Sequence, residues 1–250
     1  MPKRDAGKRE RLKLLSWNIW QGYHLKEIIS FLQAAEADII GLQEVIEKDG
    51  TNTAAVIAEE LGYHSAYYRA IEKTRLGFPQ GNAVLSKYPI DKSVPYLLSD
   101  SSLYKGTAET EPRVAIEARI LIANMLLTIF TTHLAYSHLF RDSEMRNMQV
   151  DHLIQLLPPT RTILLGDFNS HPDSSYMEKL NQIMQNTDTE LTKPTWTVYP
   201  FDYEGFHETE LRHRLDYIFV SKDILVRSFD VEDSTGSDHL PISAVVEVSP

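Results

Sequence analysis

The stretch Thr162-Ile163-Leu164-Leu165-Gly166-Asp167-Phe168-Asn169 decides how the rest of the chain is read. It opens as an apolar run of strand length and composition. The run does not alternate with polar residues, which marks a strand covered on both faces. It ends in a glycine followed by Asp167 and Asn169, just where a strand's C-terminus and the loop beyond it commonly build a site.

Similar runs lie on either side. Leu14 to Trp17, Ile39 to Leu42, Ala83 to Leu85, Val114 to Ile120, Leu126 to Thr132, Tyr217 to Val220 and Ala244 to Val248 all have strand length and composition. Between some of them the period changes to that of a helix. Ile28, Ile29, Leu32 and Ala35 share a face, as do Ala54, Ile57, Ala58 and Leu61 before a stop at Gly62. Val150, Leu153, Ile154 and Leu157 form a third stripe, closed by Pro158 and Pro159. Tyr176, Leu180, Ile183 and Met184 form a fourth. All four stripes are expected in the core. From Tyr63 to Thr132 almost no helical pattern is visible, whereas a doubly wound sheet needs a helix after nearly every strand. Two packed sheets with helices outside satisfy both observations.

No short repeat and no low-complexity linker divides the 250 residues, so one domain is expected over 12–250, preceded by a basic solvated tail over 1–11. A chain of this length removes about 70–75% of its unfolded surface on folding. The net charge of −10 argues against a protein that holds duplex DNA mainly through its phosphates. The absence of cysteine excludes disulfides, thiolate catalysis and zinc–thiolate sites. The first hydrophobic run begins near Leu12 and contains Ser16, Asn18 and Gln21, so it is neither a signal h-region nor a membrane span. A cytoplasmic location is the default expectation.

Polar residues gather where the apolar runs end: Asn18, Gln43-Glu44, His133, Asp167 with Asn169, Asp216 at the head of a strand, and Ser237-Asp238-His239 before the last one. Singly, each is more often a turn residue or a cap. Together they make a set of carboxylate, amide and imidazole groups without sulfur, which suits a hard ion such as Mg²⁺ or Mn²⁺. Phosphoester hydrolysis needs such a set. Charge must be neutralised on phosphoryl oxygens, a water aligned, and the leaving oxygen helped.

In order along the chain, Leu15-Ser16-Trp17-Asn18-Ile19, Asp38-Ile39-Ile40-Gly41-Leu42-Gln43-Glu44, Gly81-Asn82-Ala83-Val84-Leu85-Ser86, Thr132-His133-Leu134, Gly166-Asp167-Phe168-Asn169, Leu215-Asp216-Tyr217 and Ser237-Asp238-His239-Leu240-Pro241 resemble the motifs of the endonuclease/exonuclease/phosphatase superfamily, that of deoxyribonuclease I and the abasic-site endonucleases. The resemblance spans nearly the whole chain. It implies an α/β fold, a four-layer α/β/β/α sandwich with two central mixed β-sheets. It also implies that Glu44 and Asn18 ligate the metal with Asp238 close by. Asp167 and Asn169 would position the attacking water and the phosphate, and His133 would donate to a phosphate oxygen. Asp216 would orient His239, and either His239 or Asp167 would take the proton from water.

Trp20 and the Val45-Ile46 pair depart from the abasic-site endonuclease pattern, and the segment around Asn18-Ile19-Trp20 is closer to sphingomyelinase-like and bacterial hydrolases. No long hydrophobic hairpin suggests a bilayer substrate. Among aromatic and basic residues expected in loops, Trp196 is the first choice for a substrate wall and Arg113 for a phosphate contact. The expected activity is a Mg²⁺- or Mn²⁺-dependent phosphodiesterase whose partners are phosphoesters, nucleic acid and nucleotides included. A phosphomonoesterase acting on a sugar or inositol phosphate, a sphingomyelinase-like enzyme and a non-catalytic scaffold are the competing readings.

Overall fold

A computed structural model describes residues 9–249, apart from 73, 75 and 76. In chain order the elements are β1 (Glu10–Asn18), α1 (Leu25–Ala35), β2 (Ile39–Lys48), β3 (Thr51–Asn52), α2 (Thr53–Leu61), β4 (His64–Ile71), β5 (Gln80–Ser86) and β6 (Ile90–Leu97). They continue with β7 (Val114–Ile122), β8 (Met125–His133), α3 (Glu144–Leu156), β9 (Thr162–Asp167), α4 (Ser175–Ile183) and β10 (Gln185–Asn186). The last are β11 (Phe201–Tyr203), β12 (Phe206–Glu208), β13 (Asp216–Val220), β14 (Leu225–Val231) and β15 (Ile242–Val248).

One sheet runs β14-β15-β1-β2-β5-β4, with β3 hydrogen-bonded to β2; the other runs β10-β13-β9-β8-β7-β6. Each is antiparallel but for one central parallel pair, β1 with β2 and β8 with β9. Helices α1 and α3 lie on the crossovers that such parallel pairs require.

Strand alternation divides the apolar residues into three layers. Leu12, Leu14 and Ile39 of the first sheet meet Ile129, Ile163, Leu165 and Ile218 of the second in a core between the sheets. Leu15, Trp17, Ile40 and Leu42 face the other way, onto Ile28 and Leu32 of α1 and Ala54 and Ile57 of α2. Leu164, Tyr217 and Phe219 likewise face Val150 and Leu153 of α3 and Leu180 of α4. This is the expected four-layer sandwich. It also explains the unbroken apolar runs, since neighbouring residues on one strand enter different cores. Gly41 lets the sheets approach: a Cβ there would lie 2.8 Å from Leu165 Cβ and 2.9 Å from Thr131 Oγ1.

Local chemistry sets the helix ends. The Asn52 side chain accepts from Ala55 N–H, and Gly62 closes α2 at φ 68°. Ser143 and Ser174 cap α3 and α4 in the same way. Two expectations need adjustment. Ile183 is 40% exposed, because it closes α4 at the edge of the helix layer. Of the tail expected over 1–11, residues 1–8 lie outside the described residues, while Glu10 and Arg11 pair with Val248 and Glu247 and so begin β1. Among the described residues no helix is long and apolar enough to cross a membrane.

Candidate active site

The ends of the central strands converge on one pocket. The parallel register sets Asn18 beside Gln43 in the first sheet and His133 beside Asp167 in the second. Antiparallel pairing then sets Asp216 directly opposite Asp167. Glu44 arrives by a different device. The ladder between β2 and β5 slips between Leu42 and Val45, and both of these pack on the helix side, which regular alternation forbids. Within this bulge Glu44 adopts φ +57°, a conformation rare for its residue type. Its neighbour Gln43 stays between the sheets, donating to Ser16 Oγ at 3.3 Å and Thr131 Oγ1 at 3.0 Å.

Asn18, Glu44, His133, Asp167, Asn169, Asp238 and His239 all line this pocket, which encloses about 850 Å³, part of it continuous with solvent. Asp216 lies just behind, fully buried, with Oδ2 2.9 Å from His239 Nδ1 and Oδ1 without a hydrogen-bond partner among the described residues. Asn18 ties the carboxylates together, its Nδ2 donating to Glu44 Oε1 at 3.2 Å and Asp167 Oδ2 at 3.0 Å. Its Oδ1 accepts from Trp20 N–H, so its nitrogen, not its oxygen, faces the carboxylates. Asp167 Oδ2 lies between two imidazoles, 3.4 Å from His133 Nε2 and 3.5 Å from His239 Nε2. Asn169 Nδ2 donates to Leu134 O and reaches His133 Nε2, both at 3.0 Å. The loop of the last motif closes the site: Ser237 Oγ donates to Asn18 O at 2.6 Å, and Trp17 Nε1 donates to His239 O at 2.8 Å.

The electrostatics separate the groups. Burial, aided by the charge of Asp238, pushes the Glu44 carboxyl up to about 7. Burial raises the Asp238 carboxyl too, although His239 and the Trp196 N–H oppose the shift. Burial also opposes charge on His239, but the carboxylates of Asp216 and Asp167 outweigh it and hold the imidazole well above its ordinary value. His133 goes the other way, driven down to about 3 by burial and by the nearby Arg113, and is neutral. Glu44 and Asp238 are therefore two desolvated carboxyls that resist ionising side by side, a condition that a divalent cation relieves. Their oxygens are the donors a hard ion prefers. Ligand atoms of Asp167, Asp216 and His239 also lie within 4.8 Å of one another, but Asp216 and His239 already bond each other. The residues present fit a divalent ion, and Glu44 and Asp238 are among those that could hold it.

The sequence-selected contact residues divide. Arg113, just ahead of β7, lines the pocket with NH2 on Glu111 at 2.9 Å and Nε buried without a hydrogen-bond partner among the described residues. Trp196 lines it too, but its indole N–H donates to Asp238 Oδ2 at 3.1 Å, so it orients that carboxylate as well as forming wall. The apolar wall also includes Tyr136, Phe140, Phe201, Tyr203 and Leu215. Phe140 and Tyr203 escaped the sequence reading, because single aromatics in loops carry no periodic signal. Glu204 and Gly205, both at positive φ, make the tight turn that folds β11 onto β12 behind this wall.

A carboxylate–imidazole chain missed by the sequence reading braces the wall. His213 Nε2 lies 2.7 Å from Glu208 Oε2, and His213 Nδ1 lies 2.9 Å from His171 Nε2. Both rings pack on Phe140. Although burial works against it, hydrogen bonds from His213, Arg212 and the backbone N–H groups of Thr209 and Glu210 draw the Glu208 carboxyl down to about 2. A carboxyl depressed on folding stabilises the fold above its unfolded value near 4.5, and loses that contribution as pH falls toward 2. Glu208→Gln should therefore flatten the fall in melting temperature between about pH 5 and pH 2. Wild-type and mutant melts of the same slope would remove Glu208 from the acid response.

The family model described as Endonuclease/Exonuclease/phosphatase family matches residues 15–239, and the chain belongs to that family, whose members are phosphoester hydrolases dependent on divalent metal. Among solved structures, an endonuclease/exonuclease/phosphatase from Beutenbergia cavernae is similar at a TM-score of 0.80 and 19% identity, over 96% of this chain and 72% of that one. A mannosyl-6-phosphatase from Bacteroides thetaiotaomicron gives 0.67 and 20%, over 94% and 99%. ANGEL2, a 2',3'-cyclic phosphatase seen with adenosine-2',3'-vanadate, gives 0.71 and 17%, over 96% of each chain. Likeness at these identities establishes the fold. No curated protein matches the chain.

Proposed function

We propose that this protein is a divalent-metal-dependent phosphodiesterase using Mg²⁺ or Mn²⁺. The observation that carries the reading is the pairing of the buried Glu44 and Asp238 carboxyls with the Asp216–His239 couple at 2.9 Å in one pocket. Glu44 and Asp238 would hold the ion, which would supply positive charge to the phosphoryl group and the leaving oxygen. The protein groups do the rest. Asp167, kept in place by the Asn18 amide, accepts a proton from the attacking water. His239 carries its proton at neutral pH, so it serves as a charged donor to the phosphoryl group, with Asp216 fixing its ring. Asn169 holds the neutral His133 ring in place beside the phosphate, and Arg113 contacts a phosphate oxygen.

Arg113 lines the pocket, its guanidinium shared with Glu111. The wall of Tyr136, Phe140, Trp196 and Phe201 supports a planar or apolar group on the ester, as a nucleotide carries. The adenosine-2',3'-vanadate bound by ANGEL2 is consistent with such a substrate. The test is the ratio of kcat/KM for bis(p-nitrophenyl) phosphate to that for p-nitrophenyl phosphate. A ratio well above one is expected, and a ratio well below one assigns a phosphomonoesterase instead.

A further inference from the structure

Helix α3 buries two polar side chains on the face that also carries Val150 and Leu153. Arg146 and Gln149, one turn apart, are both wholly buried. A guanidinium without water needs compensation. Among the described residues no carboxylate pairs with Arg146. It donates instead to three carbonyl oxygens: NH1 to Asn169 O, and NH2 to Phe140 O at 3.1 Å and Arg141 O at 2.5 Å. Its guanidinium lies over the Tyr176 ring, 4.9 Å from the centroid. Gln149 Oε1 accepts from Ala135 N–H at 2.9 Å, and its Nε2 donates to Ser99 Oγ at 3.1 Å.

These contacts fall on the chain just beyond two strand ends. Ala135 follows His133 at the end of β8, and Asn169 follows Asp167 at the end of β9. Asn169 sits at φ +48°, with its carbonyl turned toward Arg146 and its side chain turned to His133 and Leu134 O. The backbone carbonyl and the side-chain amide of one residue are thus held from opposite sides. Phe140, whose carbonyl shares the same guanidinium, belongs to the aromatic wall.

We propose that Arg146 and Gln149 are positioning residues of the active site, clamping the chain beyond β8 and β9 so that the Asn169 amide is set against His133. The clamp has a spectroscopic signature. An amide donating to His133 Nε2 leaves the ring proton on Nδ1, so the two imidazole nitrogens report whether Asn169 is in place.

The experiment compares wild type, Arg146→Ala and Leu153→Ala by imidazole nitrogen NMR, with guanidinium added at millimolar concentration. Leu153→Ala removes core from the same helix without touching the clamp. His133 should show a single Nδ1-protonated form in wild type and in Leu153→Ala. In Arg146→Ala that form should give way to an average of the two tautomers, and guanidinium should restore it. The kinetic arm rests on the hydrolase reading: kcat of Arg146→Ala should fall about thirtyfold with KM nearly unchanged, the scale expected when an aligned group is displaced by a fraction of an ångström. If Arg146→Ala does not fold, Arg146→Lys takes its place, since its donors sit on one nitrogen and cannot reach the carbonyls that NH1 and NH2 serve from two positions. His133 nitrogen signals unchanged in the folded Arg146 variant, or changed equally in Leu153→Ala, would overturn the proposal. A wild type without turnover would fail the hydrolase reading alone, because the nitrogen signals decide the clamp independently.

Discussion

His239→Ala should lower kcat by at least about a hundredfold, the scale of removing one aligned donor from a developing oxyanion. The expectation follows from two features of the site. The imidazole is locked by Asp216 at 2.9 Å, so it loses no rotamer freedom as the reaction proceeds. Asp216 and Asp167 hold it well above the ordinary histidine value, so the charged form is present at neutral pH. The sign of the pH dependence follows. A raised imidazole keeps its proton through neutral pH and gives it up on the alkaline side, so kcat should fall there in wild type. His239→Ala should lack that alkaline limb. A loss under threefold, or an unchanged alkaline limb, would remove His239 from the chemistry.

Glu44→Gln should weaken divalent-ion binding by at least about tenfold, the smallest effect usual for a perturbed metal ligand set. Calorimetry on metal-stripped protein measures it directly. The Glu44 carboxyl, pushed up to about 7 by burial and by Asp238, must lose its proton to ligate. Wild-type affinity should therefore rise with pH through about 7, and the mutant should lose most of that rise. The same shift sets a stability signature. A carboxyl raised on folding costs stability as pH climbs from its unfolded value near 4.5 toward 7. Metal-free Glu44→Gln should then melt no lower than metal-free wild type at pH 8, while gaining less from added Mg²⁺ or Mn²⁺. Equal affinity in the two proteins would take Glu44 out of the metal shell.

Some of this was legible in the sequence, for physical reasons that can be named. Strands β1, β2, β5, β7, β8, β9, β13 and β15 stand out as apolar runs because both faces are covered. Strands β4, β6 and β14 did not, and all three are sheet edges. Their residues are half-exposed, and β6 even carries Pro95, which an edge tolerates and a centre does not. The polar residues at strand ends were readable because a strand that ends in Asp, Asn or His is conspicuous. The bulge that aims Glu44 was not, since nothing in Leu42-Gln43-Glu44-Val45 announces a slip in register. Arg146 and Gln149 carry no apolar signal, and only the groups they meet, carbonyls for Arg146 and the Ala135 N–H and Ser99 Oγ for Gln149, reveal a buried face. Glu208 and His213 are near neighbours in sequence, but His171 lies 42 residues ahead of His213, and only folding brings it to them.

The most direct single measurement is the initial rate of bis(p-nitrophenyl) phosphate hydrolysis by metal-stripped protein as Mg²⁺ or Mn²⁺ is added, with His239→Ala alongside. A metal-assisted diesterase centred on this pocket gives no turnover without the ion, saturable activation with it, and a mutant rate reduced by at least about a hundredfold. Turnover that is independent of the ion, or equal in wild type and mutant, would contradict it.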